Sequence, residues 1–307
     1  MTVPLDLAIL AALDEEIESL RGVLSDVRSE STGAFSVLRG RLEGCEVLVG
    51  RTGIGKVNAA LHTQAVLLQY RPRAILFTGV AGSLVPGLKV GDLVVATQAI
   101  QHDYDLTAFD RSRGFVPIGS DVKSASPEFF AQAEEILGKP SMDRLQGVSY
   151  FETSPVLRQL AFRAYDRIAQ RKPMPPALAG AVASGDQFIA DFADRERIQR
   201  TFGALCVEME GAAAAHACFL SGTPFLLLRF ISDAADGSAA VHFEALAREV
   251  AALTADLVGE IAILLHASTT DSASEQGEEP ATSLYLLALP RRRGAAHSPV
   301  WAFLGGV

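Results

Sequence analysis

Short, continuously apolar runs alternate along the chain with stretches whose apolar residues recur every three or four positions. The runs at 5–13, 46–52, 74–80, 92–100, 181–184, 205–207 and 225–232 predict strands, and their lack of polar alternation predicts burial on both faces. A helix is predicted over 58–70, where Leu61, Ala65 and Leu68 share a face. Another is predicted where Phe243, Leu246, Val250, Leu253 and Leu257 repeat at helical spacing. Strands alternating with helices imply an α/β fold whose mixed, largely parallel sheet is flanked by helices. Ligands on such sheets bind beyond the carboxyl ends of the strands, so chemistry is sought there.

Two segments break the rhythm. Residues 114–154 are rich in Gly, Pro and Ser around one short predicted helix at 127–137, the mark of a functional loop or an insertion. After His266 the text turns to Ser, Thr, Glu and Gly, so a domain over 5–267 and a disordered tail over 268–307 are expected, with Trp301 mobile and exposed. No internal repeat is present.

Composition narrows the picture. The 307 residues are 49% hydrophobic and carry 27 Lys and Arg against 36 Asp and Glu, a formal charge of −9. That sign disfavours binding to nucleic acid or to anionic membrane surfaces. A mean hydropathy of +0.23 raises the question of a membrane span. The longest uncharged stretch, 211–228, is divided by His216, Ser221, Gly222 and Pro224 into an Ala-rich helix, a turn and a strand. The first residues lack the basic flank of a signal peptide, and Asp6 interrupts their apolar run. Cys45, Cys206 and Cys218 form no CxxC pair and read as small buried apolar residues, so a cytoplasmic protein is expected.

Candidate chemistry gathers where the apolar runs end. The first run passes into Asp14, Glu15 and Glu16 ahead of a helix predicted over 17–24. Acidic residues in a first turn complement the helix dipole, so capping is the plain reading, and a catalytic carboxylate at the sheet edge is the alternative. Two glycine corners follow strands, Thr52-Gly53-Ile54-Gly55-Lys56-Val57-Asn58 and Thr78-Gly79-Val80-Ala81-Gly82-Ser83. The first is a poor dinucleotide fingerprint, because Asn58 stands where a third glycine belongs, and Val57 after Lys56 excludes a P-loop. Either corner is a tight turn or a place where backbone N–H groups approach a ligand. His102, Asp103 and Asp105 look like a fragment of a metal site. With the His scattered, Cys scarce and no HExxH, a hydrogen-bonded histidine at a strand end is the simpler reading. No GxSxG elbow marks a serine nucleophile. Three later runs end in carboxylates, at Ser184-Gly185-Asp186-Gln187-Phe188-Ile189, at Val207-Glu208-Met209-Glu210-Gly211 and at Arg229-Phe230-Ile231-Ser232-Asp233. Together with Glu16 they outline a carboxylate-lined pocket beside one aromatic.

In these motifs and their order, from about Leu7 to His266, the chain resembles the 5′-methylthioadenosine/S-adenosylhomocysteine nucleosidases of the nucleoside phosphorylase superfamily. The set comprises the acidic corner at Glu16, G-I-G-K-V from Gly53, T-G-x-A-G from Thr78, V-G-D-L-V from Val90, H-D-x-D-x-T-A-F from His102 to Phe109, S-G-D-Q-F-I from Ser184, V-E-M-E from Val207 and I-S-D-x-A-D from Ile231. The resemblance implies one nucleoside phosphorylase-like domain, a homodimer, no metal and no cofactor. It makes Asp233 the acid that protonates the imidazole ring of adenine and Glu16 the group that activates water. It places Glu210 on the ribose hydroxyls, Phe188 on the purine, the Ile189 backbone at the purine edge and Met209 under the ribose. Ile54, Val80, Ala81, Gly82 and Glu208 would line the site, Arg229 and Ser232 would orient Glu16 and Asp233, and Phe109 would reach into the neighbouring subunit's pocket. A free aspartic acid is ionised at neutral pH, so the site has to hold a proton or share one through the base.

Two departures bear on substrate. Val80 stands where a Ser is common in the family, and the insertion begins after Phe109, where the family builds its 5′-alkylthio pocket. Methylthioadenosine, S-adenosylhomocysteine, 5′-deoxyadenosine and 6-amino-6-deoxyfutalosine all remain candidates. The alternatives are a phosphorylase of the same fold, disfavoured by Asp14, Glu15 and Glu16, and a nucleoside-binding module without chemistry. A dinucleotide-dependent oxidoreductase rests only on the imperfect glycine corner.

Overall fold

The computed structural model describes residues 5–33, 35–104, 150–233 and 243–275. Phe109, Asp105, the helix predicted at 127–137, most of the insertion and Trp301 lie outside them. Eleven strands form one sheet: β1 (Leu7–Ala11), β2 (Ser25–Thr32), β3 (Phe35–Leu42), β4 (Cys45–Arg51), β5 (Ala74–Phe77), β6 (Val80–Ser83), β7 (Leu93–Gln101), β8 (Phe151–Glu152), β9 (Ala177–Ser184), β10 (Cys206–Glu208) and β11 (Phe225–Asp233). The helices are α1 (Glu18–Val23), α2 (Lys56–Tyr70), α3 (Pro155–Ala169), α4 (Phe192–Phe202), α5 (Gly211–Ser221) and α6 (Phe243–Glu275). The strand order is β2-β3-β4-β1-β5-β11-β6-β10-β9-β7-β8. β11 also pairs with β7, so β11, β6, β10, β9 and β7 close into a ring.

Pairing is parallel from β4 through β1 and β5 to β11 and again at β11–β6, β9–β10 and β7–β9. It is antiparallel elsewhere, which makes the sheet mixed as the sequence predicts. Central strands are buried on both faces. In β1, Leu7, Ile9 and Ala11 join the core under α1, α3 and α6, while Ala8 and Leu10 join the core under α2 and α5. The Ala-rich face of α5 brings its backbone close to α2, and Ala212, Ala213, Ala214 and Ala215 are all buried.

Several features depart from the sequence reading, among them helix α3 and strand β8, which it does not predict. The hairpin β2–β3 was not predicted, because β2 is exposed at nearly every position and carries no apolar alternation. Helix α4 was also not predicted; it is marked by local signals only, with Asp191 accepting from the N–H groups of Ala193 and Asp194 and Gly203 closing it at φ +63°. The predicted strand at 74–80 breaks at Gly79 into β5 and β6, for a reason that belongs to the site. The last helix passes residue 267 and runs to Glu275. Its segment Val250–Ser268 is long and apolar enough to cross a membrane by composition, and it is mostly buried here against α1 and α3. The stretch 211–228 divides into helix, turn and strand as expected.

Candidate active site

Two strand-to-helix corners, the loops after β9 and β10, strand β6 and the end of β11 converge on a cavity of about 300 Å³, within the small-molecule range. Glu16, Ile54, Val80, Ala81, Gly82, Phe188, Ile189, Glu208, Met209, Glu210, Ser232 and Asp233 all line it, and so do Ala12, Leu13, Gln187 and Val207, which the sequence reading did not assign. Arg229 stands behind the wall, fully buried, and Phe109 falls outside the described residues.

Glu16 does not cap α1, whose N-terminus has no side-chain cap. Its carboxylate turns into the molecule, where the Leu13 N–H donates to Oε2 (2.9 Å) and the Val80 N–H to Oε1 (3.1 Å). Val80 can present its N–H because Gly79 adopts φ +153°, and a Cβ there would collide with Glu16 Oε1 and Arg229 Nη1. The strand breaks at this glycine because no other residue leaves room for the two charged groups. Burial raises the Glu16 pKa above the usual carboxylate value, against the lowering pull of the Arg229 charge and the backbone donors. A carboxyl group shifted that way is a stronger base near neutrality than an exposed one.

The Glu208-Met209-Glu210 turn divides labour between its two acids. Glu208 accepts from the N–H groups of Glu210 (3.1 Å) and Gly211 (2.8 and 3.0 Å), from Ser184 Oγ and from the Arg229 guanidinium. Ser184 Oγ in turn accepts from the Ala212 N–H at 2.8 Å. The first N–H groups of α5 are thus satisfied by Glu208 and Ser184, which leaves Glu210 without capping duty. Glu210 instead accepts from the Gly55 N–H of the first glycine corner (2.8 Å) and faces the cavity. Burial first, and the Glu208 charge second, push its carboxyl up to about 7, with Arg229 and Gly55 pulling it back.

Arg229 corrects one expectation. It was assigned to orient Glu16, but its bonds go to Glu208, and Glu210 Oε2 lies 3.6 Å from Nη2. Toward Glu16 it acts through charge alone, and its guanidinium rests over the Phe77 ring with the centroid 5.0 Å away. Glu16 is oriented by backbone. Ser232 Oγ lies 2.6 Å from Asp233 Oδ2 and 3.2 Å from the Ala81 carbonyl. Phe188 is 68% exposed at the cavity mouth, its ring open for stacking, while Ile189 is buried beside it.

At the first glycine corner four donors that could serve an anion are committed. The N–H of Gly53 goes to Ala12 O, that of Gly55 to Glu210 and that of Lys56 to Asp186 Oδ1 (2.7 Å), and the Lys56 ammonium is paired with Asp103. His102 is buried with both ring nitrogens unpartnered among the described residues, unlike the hydrogen-bonded histidine expected there. Among those residues no group of His, Cys, Asp and Glu is arranged to hold a metal ion.

A family model described as "Phosphorylase superfamily" matches residues 6–263, and the chain belongs to that superfamily. Within it, the chain is 34% identical over 252 residues to a 5′-methylthioadenosine/S-adenosylhomocysteine nucleosidase of Geobacillus kaustophilus, covering 82% of this chain and 94% of that one. It is 35% identical over 239 residues to an aminodeoxyfutalosine nucleosidase of Helicobacter pylori, covering 78% and 90%. The crystal structure of the Neisseria meningitidis 5′-methylthioadenosine/S-adenosylhomocysteine nucleosidase with methylthio-immucillin-A superposes with a TM-score of 0.70 at 32% identity, over 84% of this chain and 99% of that one.

Proposed function

We propose that the protein is a nucleosidase that hydrolyses the N-glycosidic bond of 5′-methylthioadenosine, S-adenosylhomocysteine or a closely related 5′-substituted adenine nucleoside. The observation that carries this reading is the union, in one small cavity, of a buried Glu16 held by two backbone donors, a Glu210 freed from capping and a Ser232-bound Asp233. Asp233 donates a proton to the imidazole ring of adenine, so that a neutral base leaves rather than an anion. Glu16, with its proton affinity raised by burial, removes a proton from the water that attacks the anomeric carbon. Glu210 accepts from the ribose hydroxyls, and the surrounding carboxylates favour the positive charge that develops on the sugar as the bond breaks. Phe188 stacks on the purine, the Ile189 backbone reads its edge and Met209 packs under the ribose.

Phosphorolysis by the same fold is disfavoured, because the N–H groups of Gly55 and Lys56 and the Lys56 ammonium are engaged by carboxylates, which would also repel phosphate. The Helicobacter pylori relative keeps 6-amino-6-deoxyfutalosine among the candidate substrates. Adenine release from the four candidate nucleosides, with and without phosphate, is the test. Activity that needs phosphate and yields a sugar phosphate would overturn hydrolysis. Asp233→Asn is expected to lower turnover by about 10²- to 10⁴-fold, and an unchanged rate would remove Asp233 from the mechanism.

The reading extends to a homodimer that works in the cytoplasm in methionine salvage and nucleoside catabolism. Val57, Leu61 and Leu68 are exposed along one face of α2, and Phe188 and Phe192 are exposed nearby, an apolar surface suited to a second copy that would deliver Phe109 to the cavity. The three cysteines are free and buried, which suits a reducing compartment. Sedimentation at micromolar concentration checks the dimer, and a monomeric, fully active protein would overturn it.

A further inference from the structure

The cavity has two walls that come from distant parts of the chain. One is the glycine corner, which carries Ile54 and delivers the Gly55 N–H to Glu210; the other is the loop after β9, which carries Gln187, Phe188 and Ile189. No strand pairing joins the corner to the loop. What joins them is a closed cycle of polar contacts outside the cavity. Lys56 donates its backbone N–H to Asp186 Oδ1 (2.7 Å), Asp186 donates its own N–H to Asp103 Oδ2 (2.8 Å), and the Lys56 ammonium pairs with Asp103 Oδ1 (2.5 Å) and lies 3.3 Å from Gln101 Oε1. The Lys56 and Asp103 side chains are only 16% and 18% exposed, so the pair is shielded from water and salt. Burial alone would raise the Asp103 pKa, but Lys56 and the Asp186 N–H outweigh it and hold the carboxyl below its usual value.

One glycine makes room for the cycle and another for His102, the neighbour of Asp103. A Cβ on Gly55, at φ +95°, would meet Asp186 Oδ1 at 3.1 Å, and one on Gly185 would collide with the His102 imidazole. Glu16 is held instead by the Leu13 and Val80 N–H groups, and Asp233 accepts from Ser232, residues that are not members of the cycle.

We propose that Asp103, acting through Lys56 and Asp186, is a positioning residue that latches the Ile54–Glu210 wall of the cavity to the Phe188–Ile189 wall. It governs how well the nucleoside is held and leaves the acid and base steps nearly untouched. The proposal rests on the nucleosidase reading for its kinetic test. Removing a shielded, charge-assisted contact should loosen both walls together, so Asp103→Ala is expected to raise KM about tenfold or more and to change kcat less than about threefold. Lys56→Met should do the same, Lys56→Arg should restore KM to within about threefold of wild type, and the Lys56→Met/Asp103→Ala pair should be no worse than the worse single variant.

A merely structural role gives a different pattern, in which the urea midpoint falls, kcat drops with the folded fraction and KM stays at the wild-type value. That pattern, or fully multiplicative effects in the double variant, overturns the latch. Amide exchange supplies a readout that does not depend on turnover: in Asp103→Ala, segments 53–58 and 184–189 should both exchange faster. If the wild-type protein releases adenine from none of the four nucleosides, the nucleosidase reading fails and the latch is judged on exchange alone, unchanged protection in the two segments overturning it.

Discussion

Acidic and basic side chains meet in two very different regions of this molecule. Behind the cavity, Arg229 is 1% exposed and sits among Glu208, Glu210 and Glu16, in contact with the first and under the charge of all three. At the surface, Lys172 pairs with Asp256 where α3 packs on α6, and Arg197 with Asp194 along α4, all four side chains being 40% exposed or more. The bonds look alike on paper. Their worth differs because water and salt screen the outer pairs, while the inner cluster has given up its hydration and depends on its own members. Among the described residues the inner cluster sets one cation against three carboxyl groups; burial raises the proton affinity of Glu16 and Glu210, the two groups turned toward the cavity, the neighbouring carboxylates add to it at Glu210, and Arg229 pulls both back. Fold stability and chemistry therefore share one charge account inside the protein and are separate outside it.

Removing the cation should break the contrast most severely. Arg229→Met strands three buried carboxyl groups without a counter-charge, and a loss of about 3–5 kcal/mol in unfolding free energy is expected by urea titration. A loss below about 1 kcal/mol would put the inner cluster in the same class as the outer pairs.

The next effect in size is on pH dependence. In the proposed mechanism Glu210 accepts from both ribose hydroxyls, which requires the ionised form, and its carboxyl is pushed up to about 7. kcat/KM should fall about tenfold per pH unit on the acid side of that value, and Glu210→Gln should lose this limb of the profile. Stability runs the opposite way. Between the ordinary 4.5 and about 7 the folded chain keeps a proton on Glu210 that the unfolded chain releases, so this group's contribution to stability declines as pH rises through that window. A kcat/KM profile flat from pH 5 to 8 in the wild type would remove Glu210 from substrate binding.

The smallest expected effect sharpens the comparison from the other side. Lys172→Ala breaks the pair with Asp256 and should change the unfolding free energy by less than about 1 kcal/mol, with kcat and KM unchanged. A larger loss in the urea midpoint would mean that the α3–α6 face depends on its charges as the cavity does.

Much of the architecture can be read directly from the chain, and the reasons are local. Strands such as β1, β5 and β11 announce themselves because burial on both faces leaves nothing but apolar residues. The opposite case is β2, whose residues face water and are chosen for solubility, so only its pairing with β3 reveals it. The carboxylates were legible as candidates because each follows a strand. Their duties were not legible, because the same Glu can cap a helix or face a substrate, and that depends on which other donor reaches the helix terminus first. At α5 the donors are met by Glu208 and by Ser184, two segments away, and Glu210 is released by that distant accident of packing.

Residue type and spacing alone carry the alternation of strand and helix, the order of the motifs that places this chain in its superfamily, and the set of residues that could do chemistry. It took the folded chain to show which backbone N–H groups hold Glu16, that Arg229 bonds Glu208 rather than Glu16, that Gly79 breaks a strand to let two charges pass, and that Lys56, Asp103 and Asp186 close a cycle across 130 positions of chain. The physical reason is range. Apolar patterning acts within a turn or a strand and survives in a one-dimensional reading, whereas hydrogen bonds and desolvated charges take their partners from whatever the fold brings within about 3 Å.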